Sequence, residues 1–88
     1  MEHDPGGATA EVLGIALREL REQAGLSLRE LGRRALYDYT RLSRAEHGDI
    51  LIPEPQVQVL DDVLHAGGLL VSLRRGMPAA PAPVTGRQ

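Results

Sequence analysis

GLSLRELGRRALYDYTRLSRAEHG, residues 25–48, carries two complete sets of helix start and stop signals. Ser27 followed by Glu30 is an S-x-x-E capping box, in which each side chain satisfies a backbone N–H that would otherwise go unpaired at the start of a helix. The helix it opens has an apolar stripe of Leu28, Leu31 and Ala35 and runs out at about Leu36. Asp38 is a second good N-cap, placed before a stretch from Tyr39 to His47 in which Leu42 and Ala45 face inward and Gly48 ends the helix. The pattern therefore predicts two short helices one tight turn apart, the second polar on its outer face.

On the N-terminal side, Leu13, Leu17, Leu20 and Ala24 recur at helical spacing. They predict an amphipathic helix over Ala10–Ala24, capped by Thr9 and stopped by Gly25. Residues 1–8, MEHDPGGA, read as a flexible terminus. On the other side, Asp49 to Pro55 reads as an extended connector around Ile50, Leu51 and Ile52. Pro55 suits the first turn of a fourth helix, striped by Val57, Leu60 and Leu64 and widened by Val59 and Val63. Gly67 and Gly68 break that helix, and Leu69, Leu70 and Leu73 predict a short fifth one closing over the core. Residues 76–88, rich in Pro and Ala, read as a disordered tail. The expectation is one all-α domain over residues 9–75, a compact bundle of five helices.

Composition narrows the function. A chain of 88 residues has room for one small domain, which excludes the larger enzyme scaffolds. It contains no Phe, no Trp and two Tyr, so its core must be built from Leu, Val, Ile and Ala. Without cysteine it has neither a disulfide framework nor a thiolate metal site. No apolar run approaches the ~18 residues needed to cross a bilayer, and residues 1–15 lack the order of a secretory signal, so the expectation is a cytoplasmic protein with no membrane partner. All ten basic residues are arginine, and the net charge of −2 is unevenly spread. Residues 1–26 sum to −3, while residues 27–47 set Arg29, Arg33, Arg34, Arg41 and Arg44 against Glu30, Asp38 and Glu46 for +2. The one basic stretch thus coincides with the two short helices. An arginine excess there points to phosphate, or to nothing more than a solvated helix face.

Two such helices have the layout of a helix-turn-helix, in which the first braces the second so that its N-terminal half can enter a groove ~12 Å wide. The landmarks are Gly25-Leu26-Ser27 at the entry, Glu30-Leu31 inside the first helix, and Leu42-Ser43-Arg44, Glu46 and Gly48 in the second. Pro53-x-Pro55 and LDDVLHAGGLL at residues 60–70 follow in order. On these motifs, over about residues 10–74, the chain resembles the lambda-repressor and Cro-like family, also called the xenobiotic-response-element family. Its arginine, alanine and leucine usage resembles members from GC-rich bacteria.

The resemblance implies a five-helix lambda-repressor-like bundle with its helix-turn-helix at helices 2 and 3. It implies a sequence-specific transcriptional regulator that binds double-stranded DNA with recognition helix 39–47 in the major groove. It places Tyr39, Thr40, Ser43 and Arg44 at base edges and Arg41 nearer the phosphates. Arg29, near the positive end of the second helix, is the other phosphate contact it suggests. These residue types fit the chemistry: Arg44 can donate two parallel hydrogen bonds to guanine, and Thr40 can bond a base edge or pack its methyl on thymine. Tyr39 suits either task, or simply covers the turn. Tyr37 occupies a position where the family buries an apolar side chain. Family members commonly self-associate through their C-terminal helices, which implies a homodimer.

Two departures bear on affinity. Leu28 stands where the family often has Gln, and the connector, basic in many relatives, reads Asp49-Ile50-Leu51-Ile52. A single domain using three to five arginines would bind weakly, since each neutralised phosphate contributes only about 0.9 to the salt slope. Ile50–Ile52 and Val59 with Val63 are either dimer surfaces or parts of the monomer's own core. The competing reading is a protein-interaction adaptor that keeps the fold, docks a partner protein and binds DNA weakly or not at all. Asp61 with His65, and His47 with Asp49, lack a third ligand, so neither a metal site nor a cofactor nor an enzyme activity is expected.

Overall fold

Five helices and no strand make up residues 7–76, the part of the chain described by the computed structural model. They are α1 (Gly7–Gln23), α2 (Leu28–Ala35), α3 (Tyr39–Glu46), α4 (Glu54–Val63) and α5 (Leu69–Arg74). The all-α, five-helix expectation holds. Apart from Gly7, Ala8 and Gly76, the terminal stretches 1–8 and 76–88, read as flexible and disordered, lie outside the described residues.

The first helix starts earlier than its sequence suggests. It begins at Gly7, so Thr9 lies within it instead of capping it, and Ala24 is exposed in the turn beyond its end. The buried face is Ala10, Leu13, Gly14 and Leu17, so small residues toward the N-terminus replace Ala24 in the stripe. Gly25 and Gly48, at φ 72° and 79°, stop α1 and α3 in the left-handed region. Each stop is closed by the paired bonds of a Schellman turn: Leu26 N–H to Arg21 O and Gly25 N–H to Glu22 O, then Asp49 N–H to Arg44 O and Gly48 N–H to Ala45 O.

The capping box forms as read. Glu30 N–H donates to Ser27 Oγ at 3.0 Å, and Ser27 N–H donates to Glu30 Oε1 at 2.8 Å. The hydrogen bonds with Ser27 hold the Glu30 carboxyl below its ordinary range, ahead of the smaller pull of Arg33 and Arg34. A folded-state value below the unfolded one stabilises the protein fully above the ordinary glutamate range, and the contribution disappears as pH falls through the depressed value. Ser27→Ala is expected to cost about 1 kcal/mol near neutral pH. It should also return the Glu30 titration, followed by NMR, toward the ordinary carboxylate range; an unmoved titration would show that the box contributes nothing.

The second helix ends differently. Leu36 adopts φ 54° and is 91% exposed, so it caps α2 from outside the core instead of extending its stripe. At the end of α4 it is His65, at φ 55°, that turns the chain, two residues before the glycines expected to do so. Val71 is buried in α5 where Leu69 was expected, and Leu69 faces solvent.

The core is wholly aliphatic. Leu13 and Leu17 of α1, Leu31 of α2, Leu42 of α3, Val57 and Leu60 of α4 and Leu70 of α5 converge in one cluster. Helix α1 packs on α3 and α5, α2 packs on α3 and α4, and α4 packs on α5. The connector joins this core: Ile52 is fully buried, and Ile50, Leu51 and Val63 pack against the cluster. The apolar connector thus serves the monomer's interior, and only Val59 of the two suggested dimer surfaces stays exposed.

Candidate nucleic-acid interface

Helix α3 is set by Asp38, whose Oδ1 accepts the Thr40 N–H at 3.1 Å and so fixes where the helix begins. It ends at Glu46, with His47 as its C-cap, one residue short of the expected span. Leu42 and Ala45 are buried, which turns the opposite side outward. At 100° per residue Tyr39, Ser43, Thr40 and Arg44 fall within one arc of roughly 140° on that outer side. Tyr39, Thr40 and Arg44 are exposed, Ser43 is half-buried, and Arg41 stands exposed beside the arc.

Two tyrosine–arginine pairs brace the turn. The Arg29 guanidinium lies 4.5 Å from the Tyr39 ring centroid, and its Nη2 donates to the Tyr39 hydroxyl at 2.9 Å. This contact joins the first turn of α2 to the first turn of α3, bringing together a residue assigned to phosphate and one assigned to a base. Tyr39 thus covers the turn while keeping its outer edge in solvent. Arg41 Nε donates to the Tyr37 hydroxyl at 3.2 Å, which raises its pKa above the ordinary arginine range. Tyr37 is half-buried against the core, as its position suggested, but its hydroxyl braces a cation. No helical period signals either pair, because Tyr37 precedes the N-cap of α3 and Arg29 lies across the turn from Tyr39.

The charges sort themselves by environment. All three acids of residues 27–47 are engaged within the fold: Glu30 in the capping box, Asp38 at the N-cap of α3, and Glu46 with Arg21 of α1. Arg29, Arg33, Arg34, Arg41 and Arg44 are all exposed, and among the described residues none of them enters an ion pair. Arg44 makes no side-chain hydrogen bond there either. Glu46 is drawn inward to Arg21, whereas Glu30 and Asp38 stay at the surface with their carboxylates on the backbone N–H groups of the helix starts, so the five arginines keep the outer surface of α2 and α3 cationic.

Elsewhere the chemistry is structural. Asp61, 3% exposed, accepts Gly68 N–H on Oδ1 at 2.8 Å and Leu70 N–H on Oδ2 at 2.9 Å. It caps α5 from the neighbouring helix, so its carboxylate is not free to pair with His65 at a metal. Among the described residues no three His, Asp or Glu side chains cluster as metal ligands, and no helix is long and apolar enough to cross a membrane.

A family model described as a helix-turn-helix domain matches residues 12–73, a span that runs from α1 into α5 and takes in the whole α2–α3 unit. No curated protein and no solved structure matches the chain.

Proposed function

The chain belongs to the helix-turn-helix domain family, and on that premise we propose that it is a sequence-specific transcriptional regulator of the lambda-repressor and Cro-like type. In this reading α3 enters the major groove of double-stranded DNA. Tyr39, Thr40, Ser43 and Arg44 read base edges, while Arg29 and Arg41 neutralise phosphates. The observation that carries the reading is the set of five exposed arginines on α2 and α3, none in an ion pair among the described residues, against two exposed acids tied to backbone N–H groups and a third that pairs with Arg21. That is a surface prepared for an external polyanion.

Base and phosphate roles separate on measurement. Arg44, which has no side-chain hydrogen bond to lose, can meet guanine O6 and N7 at no internal cost. Arg44→Ala is expected to weaken binding by ~1–3 kcal/mol at one base position and to relax preference there. Arg41→Ala, whose partner Tyr37 is assigned to no base, weakens all sequences alike and lowers the salt slope by about 1. The test is fluorescence anisotropy on duplexes selected from a random pool, titrated with salt. No binding at low salt would overturn the regulator in favour of the adaptor, and equal effects of the two substitutions on sequence preference would overturn the assignment of roles.

With so few phosphate contacts per domain, a homodimer on a palindromic or repeated site supplies the missing affinity by linking two half-sites. Exposed Val59 of α4 and Leu69 of α5 are the apolar side chains available for such a pairing. Arginine as the sole basic residue, with abundant alanine and leucine, supports a bacterial setting, and a cytoplasmic one goes with the DNA-binding reading.

A further inference from the structure

Tyr39 is held at both ends of its side chain. A Cβ on Gly32 would meet the Tyr39 Cβ at 3.3 Å and the Tyr37 carbonyl oxygen at 2.6 Å, so it is the glycine that lets the start of α3 come this close to α2. At the other end the Tyr39 hydroxyl accepts Arg29 Nη2 at 2.9 Å, and the guanidinium carbon stands 4.5 Å from the ring centroid. Arg29 and Gly32 are three residues apart, a rise of about 4.5 Å, so the phenol ring lies along α2 between them. Beside the ring opens a notch of about 340 Å³, walled further by Arg33, Leu36 and Tyr37. A cavity of about 150 Å³ already holds a benzene ring, so packing alone does not keep this ring against α2. Among the described residues, Arg29 is the one hydrogen-bond partner of the hydroxyl.

The direction of that bond decides what the hydroxyl can do next. A guanidinium has N–H donors and no acceptor, and it stays charged at every accessible pH. The phenol oxygen must therefore accept, with the one lone pair that lies in the ring plane. Its own proton is left to donate outward, from a side chain that is 38% exposed on the outer arc of α3. The other N–H groups of Arg29 stay available to a phosphate oxygen. In the major groove guanine, adenine and thymine each present an acceptor, whereas cytosine presents only its N4 amino donor.

We infer that Arg29 is a specificity-determining positioning residue, which fixes the Tyr39 hydroxyl as a hydrogen-bond donor and so makes the base position read by Tyr39 reject cytosine. This rests on the DNA-binding reading and changes what a phosphate-side cation does within it. Arg29 carries sequence information through Tyr39. Arg41, whose partner Tyr37 is assigned to no base, carries none.

The test is fluorescence anisotropy at low salt with a selected duplex and its single-base replacements. It compares the parent with Tyr39→Phe, Arg29→Ala, the two combined, and Arg41→Ala, all of which should retain the parent's far-ultraviolet circular dichroism. The parent is expected to bind roughly 2- to 10-fold more weakly when cytosine occupies one position of the strand it reads, the worth of one hydrogen bond. Tyr39→Phe keeps the ring, loses the hydroxyl and should abolish that discrimination. Arg29→Ala should weaken binding to every duplex and also reduce the discrimination at that same position. The combined variant should relax it no further than Tyr39→Phe alone. Arg41→Ala should weaken binding and leave the discrimination there unchanged. An Arg29→Ala profile parallel to the parent's, a Tyr39→Phe profile with no position altered, or a parent that prefers cytosine where Tyr39→Phe relaxes it would overturn the inference and leave DNA binding standing. A parent that binds no duplex would overturn the DNA-binding reading, and this inference with it.

Discussion

Gly14→Ala is expected to lower the stability of the domain by about 2–3 kcal/mol, although alanine is the better helix former. A Cβ at position 14 would run into the Ala45 carbonyl oxygen and lie 2.9 Å from that of Glu46. Both are main-chain acceptors at the C-terminal end of α3, so no side-chain rotation makes room. Ordinary carbon–oxygen contacts need about 3.3 Å or more, which obliges α1 and α3 to part by roughly 1 Å and loosens the packing of Leu13, Leu17 and Leu42. Overpacking of this kind costs about 1–3 kcal/mol and occasionally more, against a gain in helix propensity of at most about 1 kcal/mol. At about 4–8 °C per kcal/mol for a domain of this size, the thermal midpoint should fall by about 10–20 °C. A variant melting with the parent would show that the seam between α1 and α3 yields freely.

Further along the same seam, truncating either member of the Arg21–Glu46 pair is expected to cost about 3–5 kcal/mol. Arg21 Nε donates to Glu46 Oε2 at 2.6 Å and Nη2 donates to Oε1 at 3.1 Å, while Nη1 donates to the Leu26 carbonyl at 2.9 Å. The side chains are only 13% and 4% exposed, so removing one strands the other charge away from water. Arginine is charged at every accessible pH and cannot escape as a neutral group when Glu46 is removed; with both partners present, the hydrogen bonds to Glu46 raise its pKa further. Denaturant unfolding of Arg21→Ala, Glu46→Ala and the joint replacement Arg21→Met with Glu46→Leu separates the causes. The joint variant should be more stable than either truncation, because the cost lies in the orphaned charge. Arg21→Ala should also weaken duplex binding, since one guanidinium ties α1, the entry to α2 and the end of α3 together. Gly14 and Arg21 serve the same helix contact, so their effects should not add.

What could be read from the residues was what depends on near neighbours. The Ser27–Glu30 box, the Asp38 cap and the Gly25 and Gly48 stops are decided within a few residues, and all four formed where they were placed. Features made by distant parts of the chain were illegible. Asp61 was weighed only with His65, as two ligands of an incomplete metal set, and nothing local showed that it would accept the N–H groups of Gly68 and Leu70. Glu46 counted as a charge on the outer helix, yet it points inward because Arg21 waits there. Gly14 could have been questioned, since an unforced glycine inside a helix costs up to about 1 kcal/mol. Only packing explains why it is kept. Leu36 stands where the stripe of α2 was read to run out, but nothing local showed that a left-handed stop would carry its apolar side chain into solvent. Of the candidate surface, the outward arc of α3 was legible from its helical period. The bracing of Arg29 by Tyr39 was not, because no periodicity links two residues across a turn.

Tyr37 and Tyr39 are the chain's entire aromatic complement, and both flank the joint between α2 and α3. Near-ultraviolet dichroism and intrinsic emission therefore originate at that joint alone. The molecule carries its own optical reporter at the place where an arriving ligand would first be felt. A change in tyrosine signal with an unchanged helical spectrum would record rearrangement of those few residues, without any label attached.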